Sequence, residues 1–466
     1  MALTISQQTY DDAVRELMEE LEISCEEAIE EANKQFKAQG VDLSRIVKNL
    51  EQKPGSSLTH LIEVTVNQLQ EIAKDENKRQ LHEYTERLSV VRRECDKGLE
   101  YRVLAGKGNA YSSILSILLK DLNDEELLKE CLKTLISLMT KQPDLLDTKG
   151  IEVIGNILEN QKDPEIQRLT LKWVKECCIM HEMNRQAIFD ADILGHLKPL
   201  LNNADSFLLR DVLGVLRALV LDDDVRVEFG KAHDHAKIIA GDTLRSITSL
   251  LSNFKGDERL MNDIMLTIAA LLVRQEFCQE VEEAGGIDII KEVLTLYHDN
   301  EKLVRQSFKL IKALCGSDTC KINFIEKGAA PLIISALDEN KSSPQSVTAG
   351  FGAIAALTLR AANNSNALFN AGAPDVIVDC MTLHKDDINV QKNGSWAIRN
   401  MVSRSRNQIK KFLTLGTDKI LENNLKNFPT IEFDTKSALR DLGCKVELKE
   451  EWTGKGGLLT SQADES

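Results

Sequence analysis

Apolar and polar residues follow the period of an α-helix along most of the chain. In residues 372–416, Gly372 and Pro374 precede a short apolar stripe, a polar break covers 385–387, and a longer stripe covers 390–402. Glycine suits the left-handed turn that ends a helix, and proline suits the first turn of the next one. The apolar positions are Val376, Ile377, Cys380, Met381, Trp396, Ile398, Met401 and Val402. This spacing predicts two helices, each with one buried face.

The same pattern recurs at a nearly constant interval. The best copies are centred on Gly285, Gly328, Gly372 and Gly416, at steps of 43, 44 and 44 residues. The upstream copies are centred on Gly106, Gly150, Asp192 and Gly241, the last at a longer step of 49 residues. A period near 43 is typical of helical armadillo or HEAT units. The sequence therefore predicts an all-α array of roughly eight stacked repeats between residues 106 and 445.

Further helices are predicted ahead of the repeats. Residues 9–23 and 24–39 read as an acidic pair, with Thr9 and Ser24 as N-caps. The Pro-Gly at Pro54 predicts a linker, and helices at 58–73 and 78–102 suit a polar cap for the array. The expected segments are an acidic helical pair (1–52), a linker (53–57), a helical cap (58–105), the repeat array (106–445) and a partly disordered C-terminal tail (446–466).

Charge and composition narrow the range of partners. The 466 residues include 58 basic and 73 acidic side chains, a formal net charge of −15, of which residues 1–40 hold −7. Such a chain is a poor default binder of nucleic acid or anionic membrane. No signal peptide is apparent, and no apolar run reaches the ~18 residues of a membrane span. The ten scattered cysteines suit reduced, buried side chains. We expect a soluble monomer of the cytoplasm and/or nucleus.

Motifs for catalysis are weak. The glycines of Gly106 to Asn109 lack the spacing and the Ser/Thr of a phosphate-binding loop, and no strand precedes them. The pair His181-Glu182 lacks the second histidine of a zinc-protease helix, and the sequence contains no Cys-x-x-Cys pair. The sequence therefore predicts a protein that is not an enzyme and that needs no cofactor.

The stretch at the long repeat step is unusual in composition. It carries Lys231, His233, Asp234, His235 and Lys237. On a helix, two histidines that are two residues apart do not face each other, but in an extended loop both could reach one ligand. A metal site would need further ligands. The alternatives are a metal or anion site, a partner-binding loop, and a structural role at helix ends.

The chain resembles a known family. The pattern GAPDVIVDCM…NVQKNGSWAIRNMV…NQIKKF resembles the armadillo repeat. The stretches DDAVRELMEELEIS, EANKQFKAQGVDLSRIV, VRVEFGKAHDHAKIIA and ALRDLGCKVELKEEWTG resemble the armadillo-repeat-containing protein six family over most of the chain. This resemblance implies a right-handed, armadillo-type superhelical solenoid with an N-terminal helical extension. It implies no defined biochemical activity.

The long helix at 390–402 contains the candidate binding residues. Trp396 and Asn400 are spaced i, i+4 on one face. Armadillo proteins that carry nuclear-import cargo are similar here, since a tryptophan and an asparagine of the third helix hold an extended peptide. At the matched positions, the other helices carry Trp173 with Cys177, Phe308 with Lys312, and Gly352 with Ala356. A regular ladder for basic peptides is therefore not predicted, although a nuclear-transport-type adaptor stays an alternative.

Basic residues surround the candidate pair. Arg399, Arg404 and Arg406 lie in a stretch without a carboxylate between residues 388 and 417. Such a patch favours an acidic or phosphorylated segment. The plain alternative is that Trp396 belongs to the core and the charges form a solvated face. The favoured prediction is a non-catalytic protein-binding scaffold or adaptor that binds an extended acidic segment on its concave face, through Trp396, Arg399, Asn400, Arg404 and Arg406.

Overall fold

The computed structural model describes residues 3–48, 59–74, 81–120, 122 and 124–447. Within them almost all regular structure is helical, and the only strands are β1 (Leu3–Thr4) and β2 (Val41–Asp42), which pair in parallel. The predicted all-α fold is confirmed. The predicted linker (53–57) and residues 448–466 of the predicted tail lie outside the described residues. The chain divides into two compact units, Met1–Thr243 and Leu244–Ser466.

The first unit begins with the predicted helical pair. Its helices are α1 (Gln7–Leu21) and α2 (Cys25–Ala38). The predicted cap of α2 is confirmed: Ser24 Oγ accepts the Glu27 N–H, and the Glu27 carboxylate accepts the Ser24 N–H. The predicted cap of α1 is wrong, because Ser6 is the N-cap and its hydroxyl accepts the Thr9 N–H at 3.0 Å. The pair is held by a small apolar core of Tyr10, Val14, Ala28, Ala32, Leu43 and Ile46.

The rest of the first unit is a run of helices. They are α3 (Leu61–Lys74), α4 (Leu81–Lys97), α5 (Leu99–Lys107), α6 (Ala110–Leu118), α7 (Glu125–Met139), α8 (Thr148–Asn160), α9 (Pro164–Cys178), α10 (Glu182–Asp190), α11 (Ile193–Leu200) and α12 (Ser206–Ala218), with a 3-10 turn at Pro143–Leu145. The boundary between the units falls inside the next helix, α13 (Ala232–Asn253).

The second unit continues with helices alone among its described residues. They are α14 (Glu258–Leu271), α15 (Gln275–Glu283), α16 (Gly286–Leu296), α17 (Glu301–Leu314), α18 (Asp318–Glu326), α19 (Ala329–Glu339), α20 (Pro344–Thr358), α21 (Ala362–Asn370), α22 (Ala373–Leu383), α23 (Ile388–Arg404), α24 (Ile409–Thr414), α25 (Thr417–Asn427) and α26 (Glu432–Asp441). Single 3-10 turns at Arg406–Gln408 and Pro429–Ile431 precede α24 and α26.

A full repeat consists of a short first helix, a middle helix and a third helix. The third helices are α7, α9 and α12 in the first unit and α14, α17, α20, α23 and α26 in the second. Within each unit, each third helix packs on the next one along the chain. Each of them from α7 to α23 starts at a polar N-cap whose side chain accepts a backbone N–H of its first turn; these caps are Asp124, Asp163, Asp205, Asp257, Asn300, Ser343 and Asp387.

The predicted left-handed turns between first and middle helices are present. Gly285, Gly328, Gly372 and Gly416 have φ between 76° and 93°, and each is the N-cap of a middle helix. Asp192 takes the same place with φ of 58°, as predicted, and its carboxylate accepts the Gly195 N–H. The 43-residue period therefore marks one recurrent backbone turn.

Three of the predicted repeat boundaries are wrong. Gly106 lies inside α5, and Asn109 takes the left-handed conformation (φ 61°). Gly150 lies inside α8, and Gly241 lies in the middle of the 22-residue helix α13. The long step of 49 arises because residues 219–231 form an irregular segment where the other repeats have a short first helix or a 3-10 turn.

Two glycine substitutions test this assignment. Gly372→Ala should lower the free energy of unfolding by about 1–2 kcal/mol, since a side chain at φ 93° strains the backbone. Gly241→Ala should raise it by about 0.5–1 kcal/mol, because alanine favours a helix interior. An added Cβ meets nothing within 4 Å at either position, so only the backbone differs. Urea unfolding followed by circular dichroism measures both changes; a loss of stability in Gly241→Ala would contradict a continuous α13.

The cysteines agree with the prediction of buried thiols. All ten are free; eight are buried, and Cys25 and Cys444 are half-buried. Burial raises the pKa of Cys95 and of Cys178 to about 12, so these thiols stay protonated near neutral pH. None of the helices in the described residues is long and apolar enough to span a membrane.

Candidate functional site: the exposed faces of the third helices

Equivalent residues of the third helices can be matched by counting from the N-cap of each helix. The fifth, ninth and twelfth residues after the cap are spaced i, i+4 and i+7, so they lie on one face of each helix. On α23 these residues are Lys392, Trp396 and Arg399, and all three are partly exposed. This face is the surface that a partner can reach, since the opposite face packs in the core.

Basic residues dominate this face although the whole chain is acidic. The fifth residues include Lys129, Arg168, Arg210, Arg305 and Lys392; the ninth include Lys133, Lys172 and Lys309; the twelfth include Lys175, Arg217, Lys312 and Arg399. α14 and α20 are the exceptions: α14 carries Asn262, Leu266 and Ala269 at these positions, and α20 carries Thr348, Gly352 and Ala355. The net charge of −15 is therefore carried by other parts of the chain.

Two lysines on α17 are exposed and unpaired. Arg305 is satisfied by Glu301, with Nη1 at 2.8 Å from a carboxylate oxygen. Lys309 and Lys312 are exposed, and neither makes a salt bridge to any residue that the structure describes. Their positive charges are thus free to meet an incoming anion.

Lys312 lies beside a glycine of the next third helix, where the helix surface has no side chain. Gly352 of α20 is so close to α17 that a Cβ on it would lie 3.4 Å from Lys312 Cδ and 3.7 Å from Asn393 Oδ1. The first unit repeats this arrangement, since a Cβ on Gly214 of α12 would lie 3.8 Å from Lys175 Cδ. A glycine at the ninth position therefore leaves room for the lysine of the preceding helix to extend across it.

A small cleft adjoins Lys309. It has a volume of about 350 Å³ and opens between α17, α20 and the start of α23. It is lined by Arg305, Gln306, Lys309, Pro344, Gln345, Thr348, Asp387 and Asn389, so polar groups lie beside the apolar surface of Pro344 and of the side-chain stems. Such a cleft suits a side chain of a bound segment that has an apolar stem and a polar end.

Trp396 is half-buried, so the plain alternative that it belongs to the core does not describe it. Its Nε1–H donates to Asp434 Oδ1 of α26 at 2.7 Å, and Lys392 Nζ lies 5.1 Å from the ring centroid. The indole thus fills the space between α23 and α26 and leaves part of its surface exposed. Asn400 Nδ2 donates to the Ala355 carbonyl at 2.8 Å, so one amide donor is used to hold α20.

The predicted basic patch is partly neutralised by the last helix. Asp441 Oδ2 lies 3.6 Å from Arg399 Nε, and Arg406 Nη1 donates to the Asp441 carbonyl at 2.7 Å. Arg440 Nε donates to the same carboxylate at 2.9 Å. Arg404 is exposed and has no salt bridge among the described residues. Of the arginines predicted for the site, Arg404 is thus the one to which the described residues offer no ion-pair partner.

Two of the predicted matches to Trp396, Trp173 and Phe308, are wrong by one residue, whereas the third, Gly352, is the ninth residue after its N-cap as Trp396 is. Trp173, Cys177 and Phe308 are fully buried, and the Trp173 Nε1–H donates to Met139 Sδ. Counted from the N-cap, the residues equivalent to Trp396 are Lys172 and Lys309. The sequence contained a signal for this, because each third helix is preceded by a polar cap at a fixed offset.

The histidine segment is a helix, not the predicted loop. His233, Asp234, His235 and Lys237 lie in the first two turns of α13, where the two histidines face different directions. His235 is buried, stacks on Phe189 at 4.1 Å, and its Nδ1 lies 3.1 Å from the Leu219 carbonyl. His233 is exposed.

This geometry favours the structural role. Lys231 Nζ lies 3.7 Å from Asp234, so one cation of the segment is paired locally. In the described part of the chain, no group of three or more His, Cys, Asp or Glu residues is arranged to hold a metal ion. The alternative of one ligand held by both histidines loses its basis, because there is no loop to bring the two rings together.

Family models match the chain over almost its full length. A model described as ARMC6 matches residues 62–461, and a model described as armadillo repeat-containing protein 6 N-terminal domain matches residues 2–80. The family predicted from sequence is thereby confirmed.

Relatives agree with the family models. The armadillo repeat-containing protein 6 homolog of Drosophila melanogaster is 41% identical over 462 residues, covering 97% of this chain and 98% of its own. The Homo sapiens and Pongo abelii proteins named armadillo repeat-containing protein 6 are each 32% identical over 476 residues, covering 98% of this chain and 94% of theirs.

A solved structure supports the fold. A crystal structure titled as an engineered protein has a TM-score of 0.69 at 16% identity, covering 94% of this chain and 99% of its own. At that identity the similarity concerns the fold alone. The family models and the relatives identify the family: the chain belongs to the armadillo repeat-containing protein 6 family.

Proposed function

We propose that the chain is a non-catalytic protein-interaction scaffold, and that the exposed third-helix face of its second unit binds an extended acidic or phosphorylated segment of another protein. Membership in an armadillo-repeat family supports the scaffold role. The choice of an acidic or phosphorylated ligand rests on one observation: Lys309 and Lys312, beside Gly352, are exposed and have no salt-bridge partner among the described residues.

Charge pairing favours this location over the arginine patch. A ligand carboxylate or phosphate that contacts Lys309 or Lys312 breaks no internal salt bridge. A ligand that contacts Arg399 competes with Asp441, which already lies 3.6 Å from the guanidinium. Lys392 and the exposed part of Trp396 extend the face on the next helix, where the flat indole offers contact area for the ligand backbone.

The alternative of a nuclear-transport-type adaptor for basic peptides is disfavoured by the same charges. A Lys-rich peptide along this face meets Lys309, Lys312 and Lys392, and like charges placed together cost several kcal/mol. The tryptophan–asparagine pair is present on α23 alone among the described third helices. Its asparagine donates to Ala355, which leaves less of the amide for a peptide backbone.

Peptide binding tests the proposal. The probe is a fluorescein-labelled peptide with two phosphoserines among glutamates, and its affinity for the full chain is measured by fluorescence anisotropy. Lys309→Glu/Lys312→Glu should weaken binding at least about tenfold, ~1.4 kcal/mol. The matched control is Lys385→Glu/Lys419→Glu, which makes the same charge change at exposed lysines outside the third helices.

The outcomes separate the alternatives. Unchanged binding by the control variant, together with loss in the α17 variant, supports the assigned face. Equal losses in both variants would reduce the effect to net charge and contradict the site. Tighter binding of a Lys-rich peptide than of the phosphopeptide would favour the nuclear-transport alternative.

A further inference from the structure

The irregular segment at 219–231 is unlike the matching connections of the other described repeats, which contain a short helix or a 3-10 turn. It occupies the place of a short first helix and runs past the start of α10. Irregular segments are ordinarily the mobile part of a fold. This one is held in place by a network of charged side chains, so it presents a fixed surface to solvent.

The inner part of the network is buried. Arg185 is 1% exposed and Glu182 is 2% exposed. Arg185 Nε donates to Glu182 at 2.9 Å, and its Nη1 donates to Asp223 at 2.6 Å and to the Cys178 carbonyl at 2.8 Å. Glu182 Oε1 also accepts the Lys231 N–H at 2.5 Å. The segment is therefore tied to α10 at Asp223 and again at Lys231.

The outer part of the network fixes the turn between these points. Asp224 accepts the Glu182 N–H at 2.9 Å and Arg226 Nε at 2.8 Å. Arg226 reaches Asp144 at 2.9 Å and donates to the Met180 carbonyl at 2.9 Å. The hydrogen bonds from Arg226 and from the Glu182 backbone hold the pKa of Asp224 well below its usual range, so the carboxylate stays ionised at neutral pH.

The fastened segment presents apolar side chains to solvent. Val225 is 94% exposed and Phe229 is 84% exposed. Met180 and Met183, at the start of α10 under the segment, are 57% and 60% exposed. Single exposed apolar residues are common on protein surfaces. Val225 and Phe229 lie on the fastened segment, and Met180 and Met183 lie at the start of α10, to which Arg226 and Gly230 bring the segment close. An aromatic ring and two adaptable methionines among these four residues have the composition of a binding hot spot.

The charge around them selects the partner. Residues 219–231 hold four carboxylates and two basic residues, so the net charge is −2. Both basic residues are paired: Arg226 with Asp224 and Asp144, and Lys231 with Asp234. Asp222 and Glu228 are exposed on either side of the turn. Apolar anchors with an acidic rim complement a segment that carries apolar residues flanked by Lys or Arg.

We infer that Met180, Met183, Val225 and Phe229 form a second docking surface, and that it binds a basic amphipathic segment of a partner protein. This surface lies in the first unit and takes a ligand of opposite charge to the one proposed for the second unit. Since Arg185 and Asp224 already hold the segment in place, binding costs little ordering entropy. An adaptor with both surfaces can hold two chemically different partners.

A model peptide tests this inference on the full chain. The probe is an amphipathic peptide of leucine and lysine, with a leucine–glutamate peptide of the same pattern as comparator. Methyl-13C methionine NMR reports the location, with the Met180 and Met183 signals assigned by Met→Leu variants. The leucine–lysine peptide should shift these two signals, and Val225→Ser/Phe229→Ser should weaken its binding at least about tenfold.

The control removes two exposed apolar side chains elsewhere. Leu296→Ser/Leu383→Ser changes two leucines that are 58% and 56% exposed in the second unit, and it should leave the affinity within about twofold. Circular dichroism confirms that both variants fold. The inference is overturned if the Met180 and Met183 signals stay fixed on saturation. It is equally overturned if Val225→Ser/Phe229→Ser binds like the wild type, or if the leucine–glutamate peptide binds as tightly.

Discussion

Replacing Arg185 with methionine is expected to lower the free energy of unfolding by about 3–5 kcal/mol. The guanidinium is 1% exposed and donates to Glu182, Asp223 and the Cys178 carbonyl. Without it, the Glu182 carboxylate at 2% exposure loses the only charged donor that the described residues offer it, and an uncompensated buried charge is strongly destabilising. Urea unfolding followed by circular dichroism measures the shift.

Two further variants test whether the lost stability comes from the buried charge of Glu182. Glu182→Gln/Arg185→Met should recover part of the lost stability, because a neutral amide leaves no buried charge and can still accept the Lys231 N–H. Arg245→Met removes an ion pair with Glu283 in which both side chains are more than 60% exposed, and should change stability by less than ~1 kcal/mol. If Arg185→Met shifted the unfolding midpoint no more than Arg245→Met, the network would not fasten the 219–231 segment.

Replacing Gly352 with glutamate should weaken phosphopeptide binding about a hundredfold, ~2.8 kcal/mol. A side chain at this position starts 3.4 Å from Lys312 Cδ, so the new carboxylate can pair with that lysine and repel the ligand. The fold should be retained or slightly stabilised, because Gly352 lies in the interior of α20, where glycine costs about 1 kcal/mol relative to better helix formers.

Matched variants separate charge from shape. Gly352→Gln adds a side chain of the same size without the charge, and it should bind the phosphopeptide within about threefold of the wild type. Gly214→Glu makes the equivalent change beside Lys175 in the first unit and should leave binding unchanged. A loss in Gly352→Gln equal to that in Gly352→Glu would show that the glycine matters for space rather than for charge. A loss in Gly214→Glu would move the site to the first unit.

The repeat architecture was predictable because it depends on local signals. The turns at Gly285, Gly328, Gly372 and Gly416 need a left-handed backbone, which glycine adopts without strain, so a glycine recurs there at a fixed period in the sequence. The same logic fails at Gly241, where a glycine in the right place is simply part of a long helix. A glycine permits a turn but does not require one.

The candidate site was only partly predictable. The spacing of Trp396 and Asn400 is visible in the sequence, but the predicted match of Phe308 to Trp396 is one residue out of register. Each residue turns a helix by about 100°, so an alignment that is shifted by one residue moves from the surface to the core. The shifted alignment therefore selects the buried Phe308 and misses the exposed Lys309. The partners of the arginines were not predictable, because Asp441 reaches Arg399 through the packing of α26 on α23 across more than forty residues of sequence.

The most direct measurement of the proposed function is 19F NMR of the full chain labelled with 5-fluorotryptophan, titrated with the phosphopeptide. The chain has three tryptophans, and the Trp396 signal is assigned from Trp396→Phe. Trp173 is fully buried and serves as the internal reference. Binding on the third-helix face of the second unit predicts a saturable shift of the Trp396 signal, lost in Lys309→Glu/Lys312→Glu, with the Trp173 signal fixed. A Trp396 signal that stays in place while anisotropy shows the peptide bound would contradict it.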